Sequence, residues 1–232
     1  MDTRVRHATH RPVGALTVPV TAVGVGVFIA ATIAAHLMHP ELSPLIEPVS
    51  LYARGGGGWL MATAFISIGL TGLWITAVTA GFTRAGRACL ALWSAGAVAG
   101  AVFPIDAPGA ATTISGTIHQ WAGFNFVVVI AAALLFGRSF GRLRPGPWAR
   151  RVGFSAWLLT AAGILLVVFM GPLHTLDVGG LAQRGYWVAL LIWLLVISWA
   201  VAAVQEPDRP ARGGLRGAGE SAAPAARSNY AD

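Results

Sequence analysis

Two apolar segments of the chain are joined by the stretch FPIDAPGAATTISGTIH, residues 103–119. It leaves one predicted helix at Phe103, crosses a short polar loop that carries Asp106, and enters the next helix at His119. The Pro-Gly pair that follows Asp106 reverses the chain direction. The stretch therefore predicts a short loop between two helices that carries a carboxylate at one end and an imidazole at the other.

The composition on either side of this loop is that of a polytopic membrane protein. Of the 232 residues, 56% are hydrophobic and only 11% are charged, and the mean hydropathy is +0.67. A water-soluble protein needs a more polar surface than this composition supplies. The net charge of +7 does not indicate nucleic-acid binding, because its placement along the chain follows membrane topology. The single cysteine, Cys89, lies in an apolar segment and has no second cysteine for a disulfide.

Six apolar segments are long enough to cross a hydrocarbon layer of about 30 Å. They run approximately over residues 13–38, 59–81, 88–103, 118–136, 152–170 and 186–204. The first is longer than the apolar core of a signal peptide, about 7–15 residues, so we expect it to be retained, with cleavage after AATIAAH as the alternative. Residues 1–12 form a basic arm, and residues 205–232, rich in Gly, Pro and Ala, predict a disordered tail.

The arginines set the expected orientation. All sixteen basic residues are Arg, and all but Arg54 and Arg184 fall in the two termini and in the loops after the second and fourth segments. Basic residues of membrane proteins gather on the cytoplasmic side. The sequence therefore predicts a cell-membrane protein with both termini in the cytoplasm and with residues 39–58, 104–117 and 171–185 facing outward.

The ionisable residues of the outward side lie near the helix ends, and we call them the polar cup. They are His36, His39, Glu41, Glu47, Arg54, Asp106, His119, His174, Asp177 and Arg184. Charged groups at membrane depth are costly unless they are paired or hydrated. The polar cup therefore predicts an outward-opening pocket between the helix ends, and the proline-rich loop 39–58 could cover it as a lid.

Asp106 and His119 are the candidates for acid–base chemistry, because a single short loop separates them. We expect desolvation near the membrane to raise the pKa of Asp106 and to leave it protonated. The alternative is that both residues only form interfacial hydrogen bonds.

Arg184 and Arg54 each begin a helix and suggest anion binding. A cation at the start of the last helix opposes the helix dipole, so we expect Arg184 to have an acidic partner, Asp106 or Asp177, or an anionic headgroup. Arg54 precedes four glycines, and exposed amides at a helix start can receive an anion. A flexible hinge with Arg54 directed to solvent is the alternative.

A zinc site is the third interpretation of these residues. Neutral imidazoles and a carboxylate are suitable zinc ligands, and His36, Asp106, His119 and His174 could supply them. No HExxH or HxxxH pair is present, so the ligands would come from separate elements. We therefore favour no metal or other cofactor, with zinc as the alternative.

Several motifs together resemble a known family. The chain contains HP at 39–40, SLYARGGGGWL at 50–60, FPIDAPG at 103–109, GTIH at 116–119 and AQRGYWVALLIW at 182–193. In order and spacing they look like the six-helix membrane family catalogued as domain of unknown function nine hundred and ninety-eight. The resemblance implies a six-helix bundle without an agreed activity, and it adds Tyr52 to His39, Arg54, Asp106, His119 and Arg184 as recurring polar positions.

Two weaker similarities concern enzymes. The chain is similar to ceramidase and progestin-receptor-like membrane hydrolases, although these have seven spans and paired histidines that are missing here. It is also similar in size and aromatic content to small integral-membrane terpene cyclases, which protonate their substrate with acidic residues.

These observations predict an all-α membrane protein that binds an amphiphilic, lipid-like or isoprenoid molecule. The expected ligand-binding residues are His36, His39, Tyr52, Arg54, His174, Asp177 and Arg184. The alternatives are a membrane enzyme acting through Asp106 and His119 on a lipid or isoprenoid, and a small-molecule transporter. The expected partners are membrane lipids and not nucleic acid, and the sequence fixes no oligomeric state.

Overall fold

A computed structural model describes the backbone of residues 14–205 and the side chains of residues 16–205. The basic arm at residues 1–12 and the predicted disorder of residues 206–232 lie outside the described residues. Within them the chain is 81% helical and has no strand, which confirms the all-α prediction.

Residues 14–205 form a bundle of seven α-helices. They are α1 (Gly14–Met38), α2 (Gly58–Val78), α3 (Arg84–Val102), α4 (Ile114–Phe124), α5 (Phe126–Leu143), α6 (Pro147–Met170) and α7 (Gly179–Gln205). Three short 3-10 helices lie in the loops, at Val49–Ala53, Gly55–Gly57 and His174–Leu176. Because α4 and α5 form one continuous span, residues 14–205 contain six helical segments long and apolar enough to cross a membrane, as predicted.

The fourth span is broken at Asn125, where the sequence suggests a single helix. Asn125 Nδ2 donates a hydrogen bond of 2.9 Å to the Leu92 carbonyl on α3. This contact requires a close approach of the two helices, and Gly96 permits it, because a Cβ on Gly96 would overlap the Asn125 side chain. Asn125 therefore lies between the end of α4 at Phe124 and the start of α5 at Phe126.

The six spans are arranged as a ring in chain order. α1 packs against α2 and α7, α3 packs against α2, α4 and α5, and α6 packs against α5 and α7. Large apolar side chains also cover the outer surface, including Leu37, Ile114 and Phe154, which are 74%, 82% and 73% exposed. Such exposure is typical of a surface that contacts lipid.

The loop between α1 and α2 is docked onto the start of α7, which closes one end of the ring. Val49 and Tyr52 are buried. The Leu181 amide donates to the Leu45 carbonyl at 2.9 Å, and the Val49 amide donates to Gln183 Oε1 at 2.7 Å. A Cβ on Gly180 would lie 2.6 Å from the Glu47 carbonyl oxygen. The loop therefore packs directly on the backbone of α7.

We predict that Gly180→Ala destabilises the protein by about 1–3 kcal/mol, because backbone atoms of the loop cannot rotate away from an added methyl group. Gly185→Ala is the matched control on the same helix, since a Cβ there meets nothing within 4 Å. Thermal unfolding in detergent, followed by tryptophan fluorescence, measures both variants. Equal melting temperatures for the two variants would contradict this close packing.

Candidate functional site

Tyr52 is the centre of a polar network at the end of the bundle formed by residues 39–57, 103–113 and 171–178, here called the polar end. The Tyr52 hydroxyl lies 2.9 Å from His36 Nδ1 and accepts a hydrogen bond of 3.0 Å from Arg184 Nη2. The side chain is fully buried. Burial raises the pKa of Tyr52, although the Arg184 guanidinium opposes the shift. The hydroxyl is therefore neutral and keeps its proton.

Arg184 is held by carbonyl groups and not by a carboxylate. Its Nη1 donates to the carbonyl of Glu47 at 2.8 Å and to that of Gly180 at 3.0 Å. Its guanidinium carbon lies 5.7 Å from the centre of the Tyr52 ring, within the range of a cation–π contact. The expectation of an acidic partner, Asp106 or Asp177, is wrong, because the docked loop brings carbonyl oxygens to Arg184 instead.

His39 and Arg54 lie in the same loop region but are less completely bonded. His39 Nδ1 lies 2.9 Å from Glu41 Oε1, and the pKa of Glu41 is lowered by its backbone amide and then by His39. His39 Nε2 and Arg54 Nη1 are both enclosed and have no hydrogen-bond partner among residues 16–205. His39 and Arg54 therefore belong to the docked loop, and each leaves one enclosed polar atom without a partner.

Asp106 caps the turn that leads into α4. Its carboxylate accepts a hydrogen bond of 2.9 Å from the Thr113 amide and one of 2.7 Å from Thr113 Oγ1. Thr113 Oγ1 in turn accepts from the Gly116 amide at 3.0 Å, which is the usual N-cap contact. These two bonds from Thr113 lower the pKa of Asp106, and Arg54 contributes a smaller electrostatic effect. The expectation of a raised pKa is wrong, since the half-buried carboxylate is hydrogen-bonded to Thr113.

His119 is buried in α4, and a backbone carbonyl fixes the orientation of its ring. Its Nδ1 lies 2.8 Å from the Phe103 carbonyl oxygen. A carbonyl can only accept, so Nδ1 carries the proton, and in the neutral ring Nε2 is left as an acceptor. No hydrogen bond joins His119 to Asp106 in the described structure. The two candidate catalytic residues therefore have separate partners.

His174 and Asp177 do not join the network. Both are exposed; His174 Nδ1 lies 3.0 Å from the Gly171 carbonyl oxygen, and Asp177 has a left-handed backbone with φ 52°. Among residues 16–205 no group of three or more His, Cys, Asp or Glu side chains could hold a metal. The four zinc candidates, His36, Asp106, His119 and His174, are thus not assembled into one ligand set.

A cavity of about 650 Å³ lies inside the ring, toward the polar end. Its wall is mostly apolar and comes from α2 to α7 and the docked loop. The polar or aromatic side chains in the wall are Ser50, Phe65, Trp93, His119, Gln120, Phe124, Phe126, Gln183, Tyr186 and Trp187. The volume matches that of small-molecule sites, about 300–1,000 Å³. Of the predicted site residues, His119 alone lines this cavity.

Sequence reasoning missed Gln183 and Tyr186 as site residues, and Trp187 lies beside them in the cavity wall. Tyr186 and Trp187 lie three and four positions after Gln183, so all three residues share one face of α7. Polar and aromatic side chains on one face of an otherwise apolar span are the signal that could have revealed them.

A family model described as Protein of unknown function (DUF998) matches residues 22–200. The match covers most of the chain and confirms the family resemblance. No curated protein and no solved structure matches this chain. Together with the six apolar helices, the match identifies a membrane-embedded protein.

We predict that Tyr52→Phe lowers the free energy of unfolding by about 1.5–3 kcal/mol, because it removes the hydroxyl that accepts from the Arg184 guanidinium. The matched control is Tyr186→Phe, since the Tyr186 hydroxyl is enclosed without a partner among the described residues. The control should retain the wild-type stability. Denaturant or thermal unfolding in detergent measures both, and a Tyr52→Phe variant as stable as the control would contradict the network.

We predict that Asp106→Asn destabilises the protein near neutral pH and that the difference from wild type disappears in acid. The folded-state pKa lies below the ordinary value of 3.8, so the stabilisation is complete above that value. It is lost as the pH falls through the folded-state pKa. Melting temperatures of both proteins across this pH range provide the measurement.

Asp177→Asn is the control for this experiment, because the exposed Asp177 carboxylate makes no hydrogen bond in the described structure. It should leave the stability near neutral pH unchanged. A constant difference between Asp106→Asn and wild type down to strong acid would rule out the ionised cap.

Proposed function

This chain belongs to the protein family of unknown function DUF998, and we propose that it binds an uncharged amphiphile in the cavity between its helices. The single observation that carries the proposal is the tautomer of His119 together with its position in the cavity wall. Its Nδ1 donates to the Phe103 carbonyl, while the ring lines a mostly apolar cavity. The Nε2 lone pair is thus available to a ligand that donates a hydrogen bond.

The wall of the cavity supports a ligand without charge. None of the described residues that line it is an Arg, Asp or Glu, and the chain has no Lys. A charged group in such a cavity would lose its hydration without gaining a counterion, which is strongly unfavourable. The proposed ligand therefore lacks the anionic headgroup that the sequence suggested, since neither Arg54 nor Arg184 lines the cavity.

Two further polar groups in the wall fit a hydroxyl. Gln183 Oε1 accepts from the Val49 amide, so the Gln183 NH₂ group is left as a donor. Ser50 also lines the cavity and makes no side-chain hydrogen bond in the described structure. A ligand hydroxyl can donate to His119 and accept from Gln183 or Ser50. The chemistry of the wall therefore favours a long-chain or isoprenoid alcohol.

The mouth of the cavity favours entry from the bilayer. α4 packs on α3, whereas α5 packs on both α3 and α6, and residues of α4, α5 and α6 line the cavity together. Four apolar side chains line the cavity and are also exposed on the outer surface of the bundle: Phe124 at 65%, Val127 at 57%, Val167 at 52% and Met170 at 46%. An apolar molecule could pass between them without entering water.

The enzyme alternative at Asp106 and His119 has less support. The Asp106 carboxylate is hydrogen-bonded to Thr113 and absent from the cavity wall. Its lowered pKa keeps it ionised at neutral pH, whereas an acid catalyst must hold a proton. Binding is therefore the function that the geometry supports best.

We predict that Gly123→Leu weakens binding of a radiolabelled long-chain fatty alcohol by about tenfold or more, because the added side chain fills part of the cavity. Gly123 lines the cavity, and a Cβ there meets nothing within 4 Å. Gly141→Leu is the matched control, since that position is equally open but lies outside the cavity wall. Scintillation proximity binding to purified protein gives the affinities.

The fatty acid of the same chain length tests the charge argument. We expect it to compete with the alcohol weakly at neutral pH, because its carboxylate finds no counterion. Equal competition by acid and alcohol would refute an uncharged ligand, and equal binding to the two leucine variants would refute the cavity as the site.

A further inference from the structure

The second concave site of the molecule lies at the opposite end of the bundle, here called the arginine end. It is a depression of about 470 Å³ between the loop that joins α2 to α3 and the last two turns of α5. Its lining residues are Gly81, Phe82, Thr83, Leu135, Arg138, Ser139, Arg142 and Leu143. This depression shares no residue with the cavity around His119.

Arg138 and Arg142 give the depression its charge. They are four residues apart on α5 and therefore lie on the same face of the helix. Both are exposed, and neither makes a hydrogen bond or an ion pair in the described structure. Two like charges at this spacing repel each other. The C-terminal end of the helix dipole favours a cation, but it supplies no anion to bridge the pair.

No carboxylate of the described chain reaches this end. Residues 16–205 contain four acidic residues, Glu41, Glu47, Asp106 and Asp177, and all of them lie at the polar end. The described arginines of the arginine end are Arg84, Arg87, Arg138, Arg142, Arg144, Arg150 and Arg151. Residues 16–205 therefore supply no anion to Arg138 and Arg142.

The depression also has an apolar part, which distinguishes a lipid from a free anion. Phe82 stacks on Phe140, with ring centroids 4.5 Å apart, and Leu135 and Leu143 line the same depression. The fourth span ends at Leu143 and the third begins at Arg84, so the depression lies at the membrane boundary, where lipid phosphates are found. A phosphate between the arginines would place the start of its acyl chains against these apolar side chains.

We propose that this depression binds the headgroup of an anionic phospholipid, with Arg138 and Arg142 holding the phosphate and Phe82, Leu135 and Leu143 contacting the glycerol and upper acyl region. The Ser139 hydroxyl supplies a further donor. Guanidinium groups bind phosphate through paired N–H donors, and anionic lipids attract arginines near the membrane surface. This site is independent of the binding function proposed for the cavity.

The test uses the full-length chain in nanodiscs of phosphatidylcholine with and without phosphatidylglycerol. Retention of phosphatidylglycerol is measured by native mass spectrometry, and the melting temperature is followed in parallel. We expect phosphatidylglycerol to be retained and to raise the melting temperature of the wild type. Arg138→Gln with Arg142→Gln should reduce its affinity roughly 30-fold and abolish the rise in melting temperature.

Arg144→Gln with Arg150→Gln is the matched control, because it removes the same charge from exposed positions of the same end that do not line the depression. It should retain phosphatidylglycerol as the wild type does. Equal loss in both double variants would show diffuse charge attraction and overturn the site. A rise in melting temperature produced by inorganic phosphate alone, in phosphatidylcholine, would overturn the assignment to a lipid.

Discussion

The hydrogen bonds from Arg184 to the Glu47 carbonyl and the Tyr52 hydroxyl hold the polar end of the molecule together. A partly buried guanidinium must have its donors satisfied, or its burial destabilises the fold. Here the partners come from a loop 137 and 132 residues away in sequence, so satisfying Arg184 also fixes the loop onto α7. Neutral acceptors serve this purpose, and no carboxylate is required.

The cavity depends on this docked loop and on the break at Asn125. Pro48, Val49 and Ser50 form part of the cavity wall, so a loop displaced from α7 would open the cavity to water. The hydrogen bond from Asn125 to Leu92 holds the break in the fourth span against α3. The residues beside this break, Phe124 and Val127, line the cavity and are also exposed on the outer surface of the bundle.

Charge is divided between the two ends of the described chain, and each end uses it differently. At the polar end, Arg184 and Asp106 are held by hydrogen bonds within the protein. At the arginine end, Arg138 and Arg142 have no hydrogen-bond or ion-pair partner among residues 16–205. The first arrangement stabilises the fold, whereas the second is suited to an anion in the membrane surface.

The sequence alone determined the class, the six spans and the region of the site. Hydropathy and length are local properties, and they suffice because a spanning segment must satisfy its backbone within itself. The sequence also placed Asp106, His119 and Arg184 at the same end of the bundle. It assigned wrong partners to Arg184 and a wrong pKa shift to Asp106, because backbone carbonyls and amides leave no mark in a residue pattern. Only the tertiary structure decided which carbonyl faces Arg184, which tautomer His119 adopts and where the fourth span breaks. Each of these depends on atoms brought together from distant segments.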